Sequence, residues 1–361
     1  MATQPVLPRH IYSPLQLQRI GVFPRLRALA WDGDILYASC GYTLLKMRAG
    51  SPRFEWTPVA RYPPEWWRRL TSSSRLGYRL VRDGFHALAI HPQGNLIAAV
   101  PGAIATLRPG EVKFQISHKI LRGTRPLHIT CTPEGRAYWG EYFDNARRGE
   151  VHIYASEDGG RRWEVAHTFA RSAIRHVHNI AYDRWRKCLW IFTGDYGKEC
   201  RILRASPDFA LVEEVVAGDQ QARAVAIVVD EDGLFFASDT PLEQNYLYHL
   251  DRTGRMETCC ELPSSSIYGC RTRDGVFFST MIEPSAVNLG RDVTVFGSSN
   301  GFRWDALASW RKDSWSMKYF QYGNALLPDG ENSTGVLAVT TVAVEGADLE
   351  TSLWIAAPER R

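Results

Sequence analysis

Seven times along the 361-residue chain, an apolar strand-like run is followed by a turn and a second apolar run that ends in small or polar residues. The units read RALAWDGDILYAS (27–39), HALAIHPQGNLIAAV (86–100), HITCTPEGRAYWGE (128–141), HNIAYDRWRKCLWIFTGD (178–195), RAVAIVVDEDGLFFASD (223–239), YGCRTRDGVFFSTMIE (268–283) and NALLPDGENSTGVLAVTT (324–341). Their starts lie 42 to 59 residues apart, close to the roughly 40–50 residues of propeller blades. Helical solenoids would show a 3.6-residue period, which these units lack. Further strand-like runs, such as EVHIYAS and RWEVAHTF, complete a four-stranded sheet after each unit. The seventh unit is followed only by SLWIAAP, whereas LQRIGVF (17–23) precedes the first unit without a sheet of its own. The pattern predicts an all-β, seven-bladed β-propeller, one domain over 1–361, with six or eight blades as the alternatives. The N-terminal strand is expected to complete the last blade, because closing the ring removes two exposed sheet edges.

One segment breaks the strand pattern. In PPEWWRRLTSSSRLGYRLVRDG (63–84), the prolines suit a helix start and Trp67, Leu70, Leu76 and Leu80 can form an apolar stripe, so a short helical insertion is expected. Its arginines Arg68, Arg69, Arg75, Arg79 and Arg82 are read either as a solvated face or as a phosphate or sugar contact. The 43 basic and 39 acidic residues nearly balance, which argues against a nucleic-acid surface and leaves a small anionic ligand open. The N-terminus lacks a basic stretch followed by an apolar core, and no apolar run approaches membrane-spanning length, so a cytoplasmic location is expected. Seven cysteines without a CxxC pair read as reduced thiols rather than as a disulfide framework or cysteine-based zinc site.

The segment SEDGGRRW places Ser156, Asp158, Gly160 and Trp163 at S-x-D-x-G-x-x-W spacing, and SSNGFRW repeats it in shorter form with Ser298, Asn300, Gly301 and Trp304. A degenerate ASPDF follows the fourth unit with Ser206 and Asp208. Ser and Asp side chains at these positions can cap the N–H groups of a tight hairpin, Gly supplies positive φ, and Trp packs between strands. The spacing resembles the Asp box, the bacterial neuraminidase repeat of sialidase-like propellers. That resemblance implies a propeller fold and a structural role for these residues at the blade periphery. It also implies a superfamily that includes sialidases, other carbohydrate-active enzymes and non-catalytic propellers. A sialidase would carry an F-R-I-P motif and three carboxylate-gripping arginines. Here VFPRLR (22–27) has the order wrong, and no spacing singles out Arg25, Arg223 and Arg271 as the three.

The first strand of a propeller blade lines the channel, and the second runs antiparallel beside it. First-strand starts and second-strand ends therefore meet at one mouth. The starts supply Arg27, His86, His128, His178, Arg223, Tyr268 and Asn324, and the second-strand ends supply Glu141, Asp195, Asp239 and Glu283. The loops that follow add Tyr142, Tyr196, Glu243 and Asn245, read as solvent-facing substrate contacts. His176 and His178 share one side of a strand and can hold a divalent cation with Asp195 or Asp239. Ionised groups gathered at a narrow channel point to a ligand. The leading expectation is a glycoside hydrolase or lyase acting on an acidic sugar, with acid and base roles among His128, His178, Glu141, Asp195, Asp239 and Glu283. The alternative is a non-catalytic propeller that binds a glycan, peptide or protein.

Overall fold

A computed structural model describes residues 14–51 and 53–358. Seven sheets follow one another along the chain, and each blade's first strand opens within two residues of its sequence unit: Arg27–Gly33, Ala87–Ile90, Thr130–Cys131, Val177–Asp183, Ala224–Val229, Ser266–Thr272 and Asn324–Leu326. Blades 1 to 6 run antiparallel from the channel outward in chain order. In blade 7, strands Asn324–Leu326, Val336–Val342 and Glu350–Pro358 are completed from outside by the N-terminal strand Leu15–Pro24. That strand pairs antiparallel with the C-terminal one, from Leu15 opposite Pro358 to Pro24 opposite Glu350. The last blade is thus made from both ends of the described chain. A second stitch runs the other way, with Asp329–Asn332 lying parallel to blade 1's first strand, Ala30 opposite Asp329.

Burial explains the strand chemistry. Second strands such as Leu96–Val100, Cys188–Thr193 and Gly233–Ser238 are buried throughout, because neighbouring blades cover both faces, and their sequences are continuous runs of apolar and small residues. Outer strands such as Gln115–Lys119 are half exposed and correspondingly polar.

The S-x-D hairpins all join the third and fourth strands of a blade, at the rim of the disc. Ser156 Oγ accepts from Gly160 N (2.9 Å), and Asp158 Oδ1 accepts from Arg161 N and Arg162 N at 3.0 and 2.9 Å. Asn300 Oδ1 does the same for Phe302 N and Arg303 N, with Ser298 Oγ accepting from Gly301 N. Ser206 and Asp208 cap Leu211 N and Ala210 N in blade 4. Blade 5 has a fourth such turn that the sequence motif did not mark, in which Asp251 Oδ1 accepts from Thr253 N and Arg255 N.

Three of these hairpins also dock on the preceding blade. Asn95 donates to Gly159 O (2.8 Å) and Thr106 to Gly160 O (2.6 Å), while Tyr138 donates to Pro207 O (2.7 Å). A Cβ on Gly160, whose φ is +85°, would stand 2.6 Å from Ile97 Cδ1. Trp304 packs edge-on to Phe235 of the blade before it.

The insertion between blades 1 and 2 forms two short helices, α1 (Trp66–Thr71) and α2 (Arg75–Val81), as expected. Its arginines are not a uniform solvated face. Arg79 is wholly buried and pairs with Asp313 (2.7 Å) and Asp348 (3.0 Å), and Arg68 pairs with the buried Asp83 (2.9 Å), which also accepts from Tyr42 (2.8 Å). The expected apolar stripe turns outward instead, leaving Leu70, Leu76 and Leu80 exposed together with Trp66. All seven cysteines are free thiols. Among the described residues no helix is long and apolar enough to cross a membrane.

Candidate ligand site at the propeller mouth

The inner strands of four blades are irregular where they reach the mouth. Register shifts fall between Ala28 and Ala30, Val177 and Asn179, Ala224 and Ile227, and Ser266 and Tyr268. Such bulges re-aim side chains that a regular strand would alternate. The strand-end groups of the mouth gather into two clusters.

The first belongs to blades 3 to 6 and is rich in carboxylates. His176 Nε2 and His178 Nε2 lie 2.9 Å apart, and Asp195 Oδ1 is 3.4 Å from the first and 3.2 Å from the second. Asp195 Oδ2 is held by Arg175 at 3.0 Å, and Arg223 reaches Asp195 Oδ1 through Nε (3.5 Å) and Asp239 Oδ2 through NH2 (3.7 Å). The Tyr142 ring lies against His176 with centroids 4.3 Å apart. Burial pushes the His178 imidazole down to about 4, with neighbouring His176 adding to this and Asp195 opposing it. Burial pulls Asp195 upward, yet its contacts with His176 and His178 outweigh that and hold it well below the usual carboxylate range. Asp239 goes the other way. Its burial, reinforced by Glu283 and Asp195 against the opposing Arg223, pushes the carboxyl up to about 7, and Oδ1 has no hydrogen-bond partner. Burial raises Glu283 as well, and raises Tyr142 to about 12.

The second cluster, from blades 1 and 2 and the insertion, is cationic. His86 Nε2 donates to Arg82 O (2.7 Å), which leaves Nδ1 to accept from Arg27 (3.3 Å). Burial, then Arg125 and Arg27, hold His86 well below its ordinary value. Burial and the charges of Arg27 and Arg82 depress even the Arg125 guanidinium, to about 10, with Tyr268 and Tyr78 the nearby groups that oppose this. Among the described residues none of Arg27, Arg82 and Arg125 forms an ion pair with a carboxylate, and Arg27 Nε is buried without a partner.

The sequence-predicted residues divide accordingly. His176, His178, Asp195, Arg223 and Asp239 converge, with Tyr142 and Glu283 beside them, while Arg27, His86 and Tyr268 belong to the cationic half. Glu141 is at the right level but is taken by Arg122 (2.9 Å) and the His152 N–H (2.8 Å). His128 faces into the channel against Asp329 (3.2 Å). There it lines an axial cavity of about 590 Å³ at the end away from the mouth, beside Trp31, Cys131, Tyr182 and Cys270. Asn245 is buried, not solvent-facing. It accepts from Thr240 N (2.9 Å) and Ser238 (3.0 Å) and donates to Asn288 (2.9 Å), pinning its own loop. Tyr196 is exposed over Arg175, and Glu243 is exposed. Asn324 bridges to Met281 through its backbone. The three candidate sialidase arginines do not converge, because Arg271 pairs with Asp230 and Arg25 bonds to Ser73 O of the insertion. Arg82 was read only as one of the insertion's five arginines, a solvated face or a phosphate or sugar contact, and Arg125 and Arg175 were missed. Arg175 adjoins the HxH pair, which was a usable signal, but Arg125 sits in a loop that no repeat marks.

No family model matches the chain, and none of the curated proteins matches it in sequence. Solved structures do. The WD40 β-propeller domain of Doa1 superposes with a TM-score of 0.55 at 11% identity, covering 97% of this chain and 98% of that one. A chain of the mitotic checkpoint complex gives 0.57 at 10% identity over 98% and 99%, and a chain of the nidogen/laminin complex gives 0.50 at 10% over 80% and 96%. The likeness is one of fold. It establishes the seven-bladed propeller and does not single out the neuraminidase-repeat family.

Proposed function

We propose that this propeller binds a small anionic ligand, or the acidic group of a larger partner, at its mouth. The observation that carries this reading is the set of three arginines, Arg27, Arg82 and Arg125, brought together around a neutral His86, none of them in an ion pair with a carboxylate among the described residues. Clustered cations in a partly desolvated site raise one another's energy, and a bound carboxylate or phosphate removes that penalty. The carboxylate-rich half a few blades away suits the hydroxyls of the same ligand, which makes an acidic sugar the preferred class. Two of the similar folds come from structures of protein complexes, and this supports binding over turnover.

Turnover of an acidic sugar, by hydrolysis or lyase chemistry, is the stronger form of the reading. Its support is Asp239, a carboxylic acid that titrates near 7 and so is suited to general acid work. Binding of a protein is the second reading, favoured by the exposed Trp66, Leu70, Leu76 and Leu80 of the insertion.

Thermal shift with glucuronate, glucose and inorganic phosphate separates these. Glucuronate at about 100 times its Kd adds about 2.7 kcal/mol of stability to the intact chain, glucose adds none, and Arg27→Gln removes the effect. Phosphate acting alone would reassign the ligand class. No shift with any anion overturns the reading.

A further inference from the structure

The two imidazoles beside Asp195 have their tautomers set by the backbone. His176 Nδ1 lies 3.0 Å from Phe143 O, and His178 Nδ1 lies 3.1 Å from Ala224 O of the next blade. A carbonyl oxygen only accepts, so each Nδ1 carries the ring's hydrogen and each neutral ring turns the bare lone pair of Nε2 inward. Those two nitrogens are 2.9 Å apart, with Asp195 Oδ1 at 3.2 and 3.4 Å. Three lone pairs therefore converge, and neither neutral ring has a hydrogen to place between them. All three residues are buried, so water does not relieve the repulsion.

We propose that His176, His178 and Asp195 bind a divalent metal ion of the zinc class. The separations fit. Bonds of roughly 2.0–2.1 Å to nitrogen and oxygen set the edge of a coordination tetrahedron at about 3.3 Å, which the two imidazole–carboxylate separations of 3.2 and 3.4 Å bracket, while the 2.9 Å between the imidazoles is shorter and opens as the ion enters. Two imidazoles and one carboxylate favour zinc or a similar borderline ion over magnesium or calcium, which take oxygen ligands. The outer contacts match those of metal centres. Both rings donate their other N–H to a backbone carbonyl, and Arg175 holds the remaining Asp195 oxygen at 3.0 Å. Local charge agrees as well, since Asp195, Asp239 and Glu283 gather around Arg223, and Arg175 is divided between Asp195 and Asp144. Three protein ligands leave a fourth position for water or a ligand oxygen, the complement of reactive rather than purely structural zinc sites. The anion reading is carried by the arginines on the other side of the mouth and meets this site only through the hydroxyls of the ligand, so titration with the metal alone tests the one without the other.

The alternative occupant is an extra proton that turns one ring into an imidazolium. Titrating the metal-stripped full-length protein with Co2+ distinguishes the two. One equivalent binds with the visible bands of a tetrahedral site and no thiolate charge-transfer band, and Zn2+ displaces it. His176→Gln and His178→Gln each weaken binding by about a hundredfold or more, beyond what loss of an outer contact costs. X-ray absorption of the zinc-loaded natural chain gives two imidazoles and oxygen, and this decides the matter should the variants fail to fold. Absence of stoichiometric binding, a sulfur-containing shell, or affinity unchanged in both variants overturns the proposal.

Discussion

The outer hairpins and the mouth use the same side chains to opposite ends. Asp158, Asp208, Asp251 and Asn300 each accept from backbone N–H groups two to four residues ahead, so every one is satisfied within its own turn. Burial pulls Asp158 upward, yet the N–H groups of Arg162 and Arg161 and the Ser156 hydroxyl outweigh it and hold the carboxyl below its ordinary value. Asp239, by contrast, has a buried oxygen without a partner and is pushed up to about 7. A locally satisfied carboxylate contributes stability. One assembled from several blades and left incomplete stores unfavourable energy that a ligand can release. The periphery should therefore govern folding and the mouth should govern binding.

The largest expected effect lies at the edge of the disc. Removing residues 1–24 deletes the outer strand of blade 7, exposing an unpaired edge and the apolar cluster that Leu15 helps to cover. The truncated chain should aggregate or lose most of its cooperative melting transition, which light scattering and calorimetry would register. A stable monomeric product would break the comparison at its strongest point.

A smaller cost belongs to the hairpin caps. Asp158→Ala leaves the Arg161 and Arg162 N–H groups without their acceptor and should lower stability by about 1–3 kcal/mol in denaturant unfolding, while ligand and metal binding stay as in the natural chain. Lost binding with unchanged stability would invert the roles of rim and mouth.

At the mouth the sign should reverse. Arg125→Met removes a cation whose charged neighbours among the described residues are Arg27 and Arg82, so the variant should be as stable as the natural chain or more stable by about 1 kcal/mol, and should lose the anion-induced thermal shift. A destabilised Arg125→Met that still binds anions would make this cluster structural.

The smallest effect is one of pH. Burial and the adjacent arginines hold the folded His86 pKa below the value near 6.5 expected in the unfolded chain. Between those two values the unfolded state binds more protons. The stability His86 contributes is therefore present above about pH 6.5 and is lost as pH falls below it. His86→Gln should flatten part of the decline in melting temperature on acidification, with the part due to His178, also lowered, left in place.

Much of this architecture was legible from residue order. Seven strand–turn–strand units located every blade because inner strands are buried on both faces and must be apolar, and an unmatched strand at each end called for closure. The hairpin caps were legible for the same reason, since their donors and acceptors lie within a few residues, although Asp251 escaped because His249 stands where the other turns carry Ser. The repeat also brought His178, Asp195, Arg223 and Asp239 to one rim, because strand ends of successive blades share a level. Residue order did not show which rim groups were already taken. Glu141 is neutralised by Arg122, Asn245 is spent on its own loop, and His128 turns into the channel toward Asp329, a partner 201 positions away. Nor did it bring Arg125 beside Arg27 and Arg82, or fix the two imidazoles by the carbonyls of Phe143 and Ala224. Local hydrogen bonding and burial patterns are properties of short segments. Pairing of charges between blades depends on distances that exist only once the ring has closed.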